Sequence, residues 1–322
     1  MLVPILLFIL GLVLLIKGGD WFVDGATALA HRFHLPELLI GATVVSIGTT
    51  LPEVMVSSQA ALIGNGGISY GNAIGSVICN TSLIAALTVA IRPGKADPKT
   101  LRFPVAAFFA AAALYAGFAY TTGRFARWNG VLLLVLFVAY MITTVLQMKR
   151  NPTENAQDSE EDAEEMGLGK TLVLLVVGAA AIAWGANLLV ENGTLIARWL
   201  GVPDSVIGLT MVALGTSLPE LVTAITSLIK GHSALSLGNI IGANLFNIVL
   251  VSGMAITIRP FAIPAEKTLM GMNASFLVDL PVMFLVMALL CLPPLKKGEL
   301  KRWQGITLLV IYTAFTAFQF FF

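Results

Sequence analysis

Charge is scarce in this chain, and so are the residues that hold soft metals or cross-link secreted domains. Only 11% of its 322 residues are Asp, Glu, Lys or Arg, against about 25% in a soluble globular domain. Together with 57% apolar residues and a mean hydropathy of +0.88, this shortage excludes an ordinary soluble protein and identifies an integral membrane protein. Basic residues sit in short loops rather than on one clustered face, so the net charge of +1 gives no case for a nucleic-acid partner. Cys79 and Cys291, both in apolar stretches, make no disulfide framework and read as reduced packing residues. The three histidines, His31, His34 and His232, fall in expected loops and read as surface residues. Met1 to Ile16 lacks the basic region and small-residue cleavage site of a secretory signal and is read as the start of a retained first span.

Long apolar runs are what the chain has instead. Crossing roughly 30 Å of hydrocarbon takes about 20 residues, and segments of that kind fall near 2–30, 37–63, 70–90, 104–120, 129–148, 170–197, 205–229, 236–257, 276–295 and 304–322. The expected fold is an all-α integral membrane protein of ten transmembrane helices. Between the fifth and sixth spans lies a polar stretch carrying Glu154, Asp158, Glu160, Glu161, Asp162, Glu164 and Glu165, which reads as a solvated hinge. The chain divides accordingly into 1–148, an acidic linker at 149–169, and 170–322.

The two halves repeat each other. Gly48-Thr49-Thr50-Leu51-Pro52-Glu53 returns 167 positions later as Gly215-Thr216-Ser217-Leu218-Pro219-Glu220. At the same offset Gly11 matches Gly178, Gly18 matches Gly185, Gly71-Asn72 matches Gly238-Asn239, Asn80 matches Asn247 and Arg92-Pro93 matches Arg259-Pro260. Arg127-Trp128-Asn129-Gly130 returns as Arg302-Trp303-Gln304-Gly305 at an offset of 175, which places a net insertion between Pro260 and Asp279. Five spans per repeat is an odd number, so the second copy must enter the membrane from the opposite side, giving two inverted five-helix repeats. With the N-terminus outside, inward-facing loops hold thirteen Lys and Arg and outward-facing loops five. The chain is therefore expected in the cell membrane, multi-pass, with both termini outside and the linker in the cytoplasm.

A carboxylate inside a bilayer costs roughly 2.5–3.5 kcal/mol, so two in duplicate settings mark a function. On a helix Ser46, Thr49, Thr50 and Glu53 share one stripe, and Ala213, Thr216, Ser217 and Glu220 are expected to repeat it. Pro52 and Pro219 free backbone oxygens near Gly48 and Gly215, and in a bilayer a freed carbonyl needs a partner. A second pair of stripes is Asn72, Ser76 and Asn80 with Asn239, Ala243 and Asn247. Gly71, Gly75, Gly238 and Gly242 are read as letting neighbouring backbones approach. A cation satisfies carboxylates, hydroxyls and carbonyls together. With no Cys or His in the set, calcium, sodium, magnesium or manganese fit better than softer metals. Each acid sits among hydroxyls and amides, unlike the proton-sharing acids of an intramembrane hydrolase, so no enzyme is expected. Smaller expectations are a local ion pair among Lys17, Asp20 and Asp24, and a cap of the ninth span by Asp279.

The repeated Gly-Thr-(Thr/Ser)-Leu-Pro-Glu and Gly-Asn-x-Ile-Gly-(Ser/Ala)-x-x-x-Asn motifs resemble the alpha-repeats of the cation/calcium exchanger superfamily, and are most similar to its prokaryotic sodium/calcium exchangers. The resemblance covers all ten spans. It implies alternating access in which sodium drives calcium outward, the first and sixth spans sliding against the other eight. It further implies that Glu53 and Glu220 are shared ligands, that Thr49 and Thr216 join calcium by side chain or carbonyl, and that Ser46 and Ala213 offer carbonyls. Thr50, Ser217 and Ser76 would serve sodium, and Asn80 and Asn247 would line the middle of the site. Amides at both 80 and 247 argue against potassium cotransport, and Ala243, where a serine is expected, removes a hydroxyl from the sodium site. The alternative is a proton-coupled calcium or other divalent cation antiporter. No cofactor is expected beyond the transported Ca2+ and Na+; the partners are membrane lipid and those cations, with no nucleic acid and a functional monomer.

Overall fold

Nearly every residue described is helical, as apolar segments must be when lipid offers their backbone no hydrogen bonds. The computed structural model describes residues 2–150, 166–200, 215–265, 268–269 and 271–321, with the side chains of 149, 150, 197 and 321 set aside. In chain order the helices are α1 (Leu2–Arg32), α2 (Glu37–Leu62), α3 (Gly66–Ile91), α4 (Pro98–Thr122), α5 (Arg127–Arg150), α6 (Leu168–Trp199), α7 (Leu218–Ile229), α8 (Ser233–Ile258), α9 (Ser275–Lys297) and α10 (Arg302–Phe321). Eight of the described helices are long and apolar enough to cross a membrane; the described part of α7 is a shorter apolar helix. Most of the linker at 149–169 lies outside the described residues, as does Ala213.

α1 and α6 pack antiparallel through small residues. A Cβ on Gly11 would stand 2.9 Å from the carbonyl oxygen of Gly185, and one on Gly18 2.9 Å from the amide of Ile182. Larger residues there would push the backbones apart, which is the small-residue logic of helix pairs in lipid. The opposite faces, with Leu6, Val13 and Ile16 on α1 and Val173, Val176 and Trp184 on α6, are exposed. The most buried helices are α3 and α8, whose Val77, Ile78, Ile241 and Phe246 pack with Phe108 of α4 and Met287 of α9 in one core.

Contacts between the halves recur with the partners exchanged. Arg127 donates to the carbonyl of Ile258 at 3.4 Å, and Arg302 donates to that of Ile91 at 3.4 Å. A Cβ on Gly130 would meet Thr257 and Gly253, and one on Gly305 would meet Ala90 and Ala86. Strand β1 (Arg124–Phe125) pairs antiparallel with β2 (Phe261–Ala262), and Lys95 bridges Glu299 in the corresponding place. Gly64 and Gly231 follow α2 and α7 with φ of 85° and 88°, a region closed to most side chains. The extra residues of the second half lie between Ile258 and Ser275, where β3 (Thr268–Leu269) and β4 (Met272–Asn273) form a hairpin.

Three local expectations change. Asp20 and Asp24 pair with Lys230 of the α7–α8 turn, at 3.5 and 2.7 Å, rather than within their own helix with Lys17. The salt bridge thus joins α1 to the α7–α8 turn. His232 is half-buried, its Nδ1 2.7 Å from Oε1 of Glu37 at the start of α2, with His31 4.0 Å from the same oxygen. Asp279 does not cap α9; its carboxylate accepts from Gln319 of α10 at 2.8 Å.

Candidate functional site

Four short stretches converge between α2, α3, α7 and α8. Ser46, Thr49, Thr50 and Glu53 lie in α2 and are all fully buried. The α2 helix runs on through Pro52, whose missing N–H leaves the Gly48 carbonyl without its helical donor. In the second half Thr216 and Ser217 stand outside regular helix, Ser217 with φ −91° and ψ 4°, and α7 starts at Leu218 with Pro219 in its first turn. The expected second helical stripe is therefore interrupted, because a proline that opens a helix needs no amide donor there. Ala213, expected to extend that stripe, lies outside the described residues.

Glu53 and Glu220 are completely buried. No donor reaches hydrogen-bonding geometry on any of their four carboxylate oxygens. The same holds for the Thr50 and Ser217 hydroxyls and for both amide atoms of Asn80 and of Asn247. Ser76 and Ala243 are buried on the same helices. Unpaired buried polar atoms are expensive, and these lie on the four converging segments. Among the described residues no group of three or more His, Cys, Asp and Glu could hold a metal; the oxygens on these segments are of carboxylate, hydroxyl and amide type, the kinds hard cations take.

Two features were not legible from periodicity. A wide helical turn begins at Asn80 and another at Asn247, spanning Asn80–Ala85 and Asn247–Val251. Such π-type turns, often found at functional sites, place one extra residue in the turn and shift the side chains that follow. A further wide turn at Gly41–Val45 precedes Ser46, and the hydroxyl of Tyr140 donates to the Ala42 carbonyl within it at 3.1 Å. Asn72 and Asn239, seen in the sequence as parts of polar stripes, work as ties between helices. Thr49 donates to Oδ1 of Asn239 at 3.2 Å, and Ser46 to the Asn239 carbonyl at 3.0 Å. Thr216 donates to Oδ1 of Asn72 at 3.5 Å, and Asn72 donates to Ser57 at 2.8 Å. Ala224 stands where the second half would match Ser57, and Nδ2 of Asn239 is correspondingly left without an acceptor.

Of the four glycines expected at close approaches, Gly238 and Gly242 lie against the backbone of α2, where Leu38 and Ala42 leave no room for a Cβ. Around Gly71 and Gly75 no described atom lies within 4 Å of such a Cβ; the matching segment, 201–214, lies outside the described residues. Cys79, read as packing, is buried beside Ser217, and Tyr312 donates to its sulfur at 3.8 Å.

Comparison with known proteins identifies the family of the chain. The family described as sodium/calcium exchanger protein matches residues 3–146 and 170–321. The chain is 31% identical to the sodium/calcium exchanger MaX1 of Methanosarcina acetivorans over 355 aligned residues, covering 99% of each chain. It is 36% identical to an uncharacterized membrane protein of Methanocaldococcus jannaschii, over 95% of this chain and 94% of that one. Its fold superposes on the solved structure of the sodium-calcium exchanger NCX_Mj with a TM-score of 0.81, at 32% identity and 98% coverage of both chains. The chain belongs to the sodium/calcium exchanger protein family.

Proposed function

We propose that the chain is a secondary active antiporter that exchanges sodium for calcium by alternating access and exports calcium. It does so through ten membrane-crossing helices, built as inverted repeats at 1–148 and 170–322 on either side of the acidic linker at 149–169. The observation that carries this reading is the pair of wholly buried carboxylates, Glu53 and Glu220, with no hydrogen-bond donor on any oxygen. Two carboxylates neutralise one divalent cation and supply up to four of the six to eight oxygens calcium takes. Thr49 and Thr216, with the carbonyls of Ser46 and Ala213, fill out the calcium shell. Thr50, Ser217 and Ser76 serve sodium, Ala243 leaves that site one hydroxyl short, and Asn80 and Asn247 line its middle. The same carboxylates serve both ions, so the two cations compete, and competition for one site is what couples an antiporter.

Support for the inverted arrangement comes from the exchanged contacts, among them Arg127 with Ile258 and Arg302 with Ile91. The glycine-lined α1–α6 pair, whose outer faces are apolar and exposed, is suited to slide as one body against the remaining helices. In this reading the protein lies in the cell membrane with both termini outside, and it works as a monomer without a cofactor.

The test is flux into proteoliposomes. Calcium uptake is expected to follow an outward sodium gradient and to collapse in Glu53→Gln and in Glu220→Gln. Uptake indifferent to sodium but driven by a pH gradient would overturn sodium coupling in favour of proton coupling.

A further inference from the structure

The two ends of the molecule are built from the same repeated segments but differ at one point. At the end where α8 finishes, Phe261 follows Arg259-Pro260 and fills the space beside α3. A Cβ on Gly66 would run into its ring, and the ring stands edge-on to Phe125 at 5.5 Å. At the end where α3 finishes, Gly94 takes the place of Phe261 after Arg92-Pro93, and no described atom lies within 4 Å of where its Cβ would be. A small open cleft of about 30 Å³ remains there, between the end of α3 and the start of α8.

The lining of that cleft is chemically one-sided. Arg92 and Lys95 stand at its mouth with the hydroxyl residues Thr88, Ser233 and Ser236, over an apolar floor that includes Leu237 and Ile240. None of the residues lining it is acidic. Lys95 has replaced the residue matched by Ala262 at the other end, adding a cation where the ring was lost. Arg92 spends one N–H on the Leu228 carbonyl at 3.2 Å, which leaves further donors on its guanidinium. Arg302 adds a third positive charge nearby, donating to the Ile91 carbonyl at 3.4 Å. Glu299, the nearest acid on the α9–α10 turn, is paired with Lys301 at 3.0 Å. The cleft opens where membrane helices end, the level at which lipid headgroups lie.

We propose that this cleft binds the phosphate headgroup of an anionic phospholipid. Basic pockets between membrane helices recognise such headgroups through charge, with each Lys or Arg contributing about fivefold in affinity. The hydroxyls supply neutral donors to the phosphate oxygens. The assignment of the cleft to the cytoplasmic leaflet rests on the topology proposed above; binding itself does not depend on the transport reading.

The test is native mass spectrometry of the detergent-solubilised protein titrated with phosphatidylglycerol, with phosphatidylcholine as the neutral comparison. Arg92→Gln and Lys95→Gln are each expected to weaken phosphatidylglycerol binding about fivefold, and Lys95→Arg to preserve it. Gly94→Phe keeps every charge and refills the space as Phe261 does, so it is expected to abolish binding. Should Gly94→Phe fail to fold, the two charge variants decide. Phosphatidylglycerol binding unchanged in both charge variants, or retained in a folded Gly94→Phe, overturns the proposal. So does displacement of the lipid by millimolar inorganic phosphate, which would mark a free-anion site.

Discussion

Thr49 of the first repeat donates its hydroxyl proton to the side-chain oxygen of Asn239 in the second, at 3.2 Å. The counterpart contact, from Thr216 to Asn72, spans 3.5 Å. Each half thus fixes a threonine of the other half. A hydroxyl that donates to such an oxygen keeps its lone pairs for a cation.

The first prediction concerns that tie. Asn239→Leu and Thr49→Val are each expected to weaken the calcium dependence of uptake, and the double variant to be little worse than Thr49→Val alone, because that change already removes the shared interaction along with the Thr49 oxygen. The coupling should fall in the range of about 0.5–3 kcal/mol seen for residues in contact. Half-saturating calcium in the four proteins of the cycle gives the number, and strict additivity would count against a functional tie.

The second concerns ligand-linked stability. A cation that binds only the folded protein at a hundred times its dissociation constant adds about 2.7 kcal/mol. Calcium is therefore expected to raise the unfolding temperature of the wild-type protein in detergent and to leave Glu53→Gln and Glu220→Gln close to their calcium-free values. Differential scanning fluorimetry across a calcium titration measures this.

The third concerns pH. The hydrogen bond to Glu37 holds His232 above the ordinary histidine value, against the opposing effect of burial. A group raised in the folded state contributes stability that is complete below its unfolded value, about 6.5, and is lost as pH rises through the folded value. Wild-type thermal stability should accordingly fall across that interval, while His232→Gln should lose this part of the pH dependence. Melting curves of both proteins between about pH 5.5 and 8.5 make the comparison.

The fourth concerns the asymmetry of the repeats at Ser76 and Ala243. Ala243 is fully buried on α8, where a serine would restore a hydroxyl to the proposed sodium site. Ala243→Ser is expected to shift half-saturating sodium more than half-saturating calcium. Equal shifts in both would remove Ser76 and Ala243 from the sodium site.

Some of this was determined by the sequence by itself. The membrane class followed from the scarcity of charge, and the duplication followed from one offset held from Gly11 to Arg92. The singling out of Glu53 and Glu220 followed from the cost of a carboxylate in lipid, a property of the residue and its apolar surroundings that needs no coordinates. The positions of the helices were legible for the same reason, since about 20 apolar residues have one low-energy conformation in a bilayer.

Other features were decided only by the tertiary structure. The wide turns at Asn80 and Asn247 depart from the helical period, so no periodic pattern could place them. Asp24 found Lys230, 206 positions away, rather than Lys17 on its own helix, because helix packing set which charges could meet. Asn72 and Asn239 became ties across the halves for the same reason. Even the cleft beside Gly94 depended on packing: a missing ring is readable in the sequence, but the space it leaves exists only where α3 and α8 come together. Local chemistry fixes which groups are costly to bury, and only the assembled fold decides which of them meet.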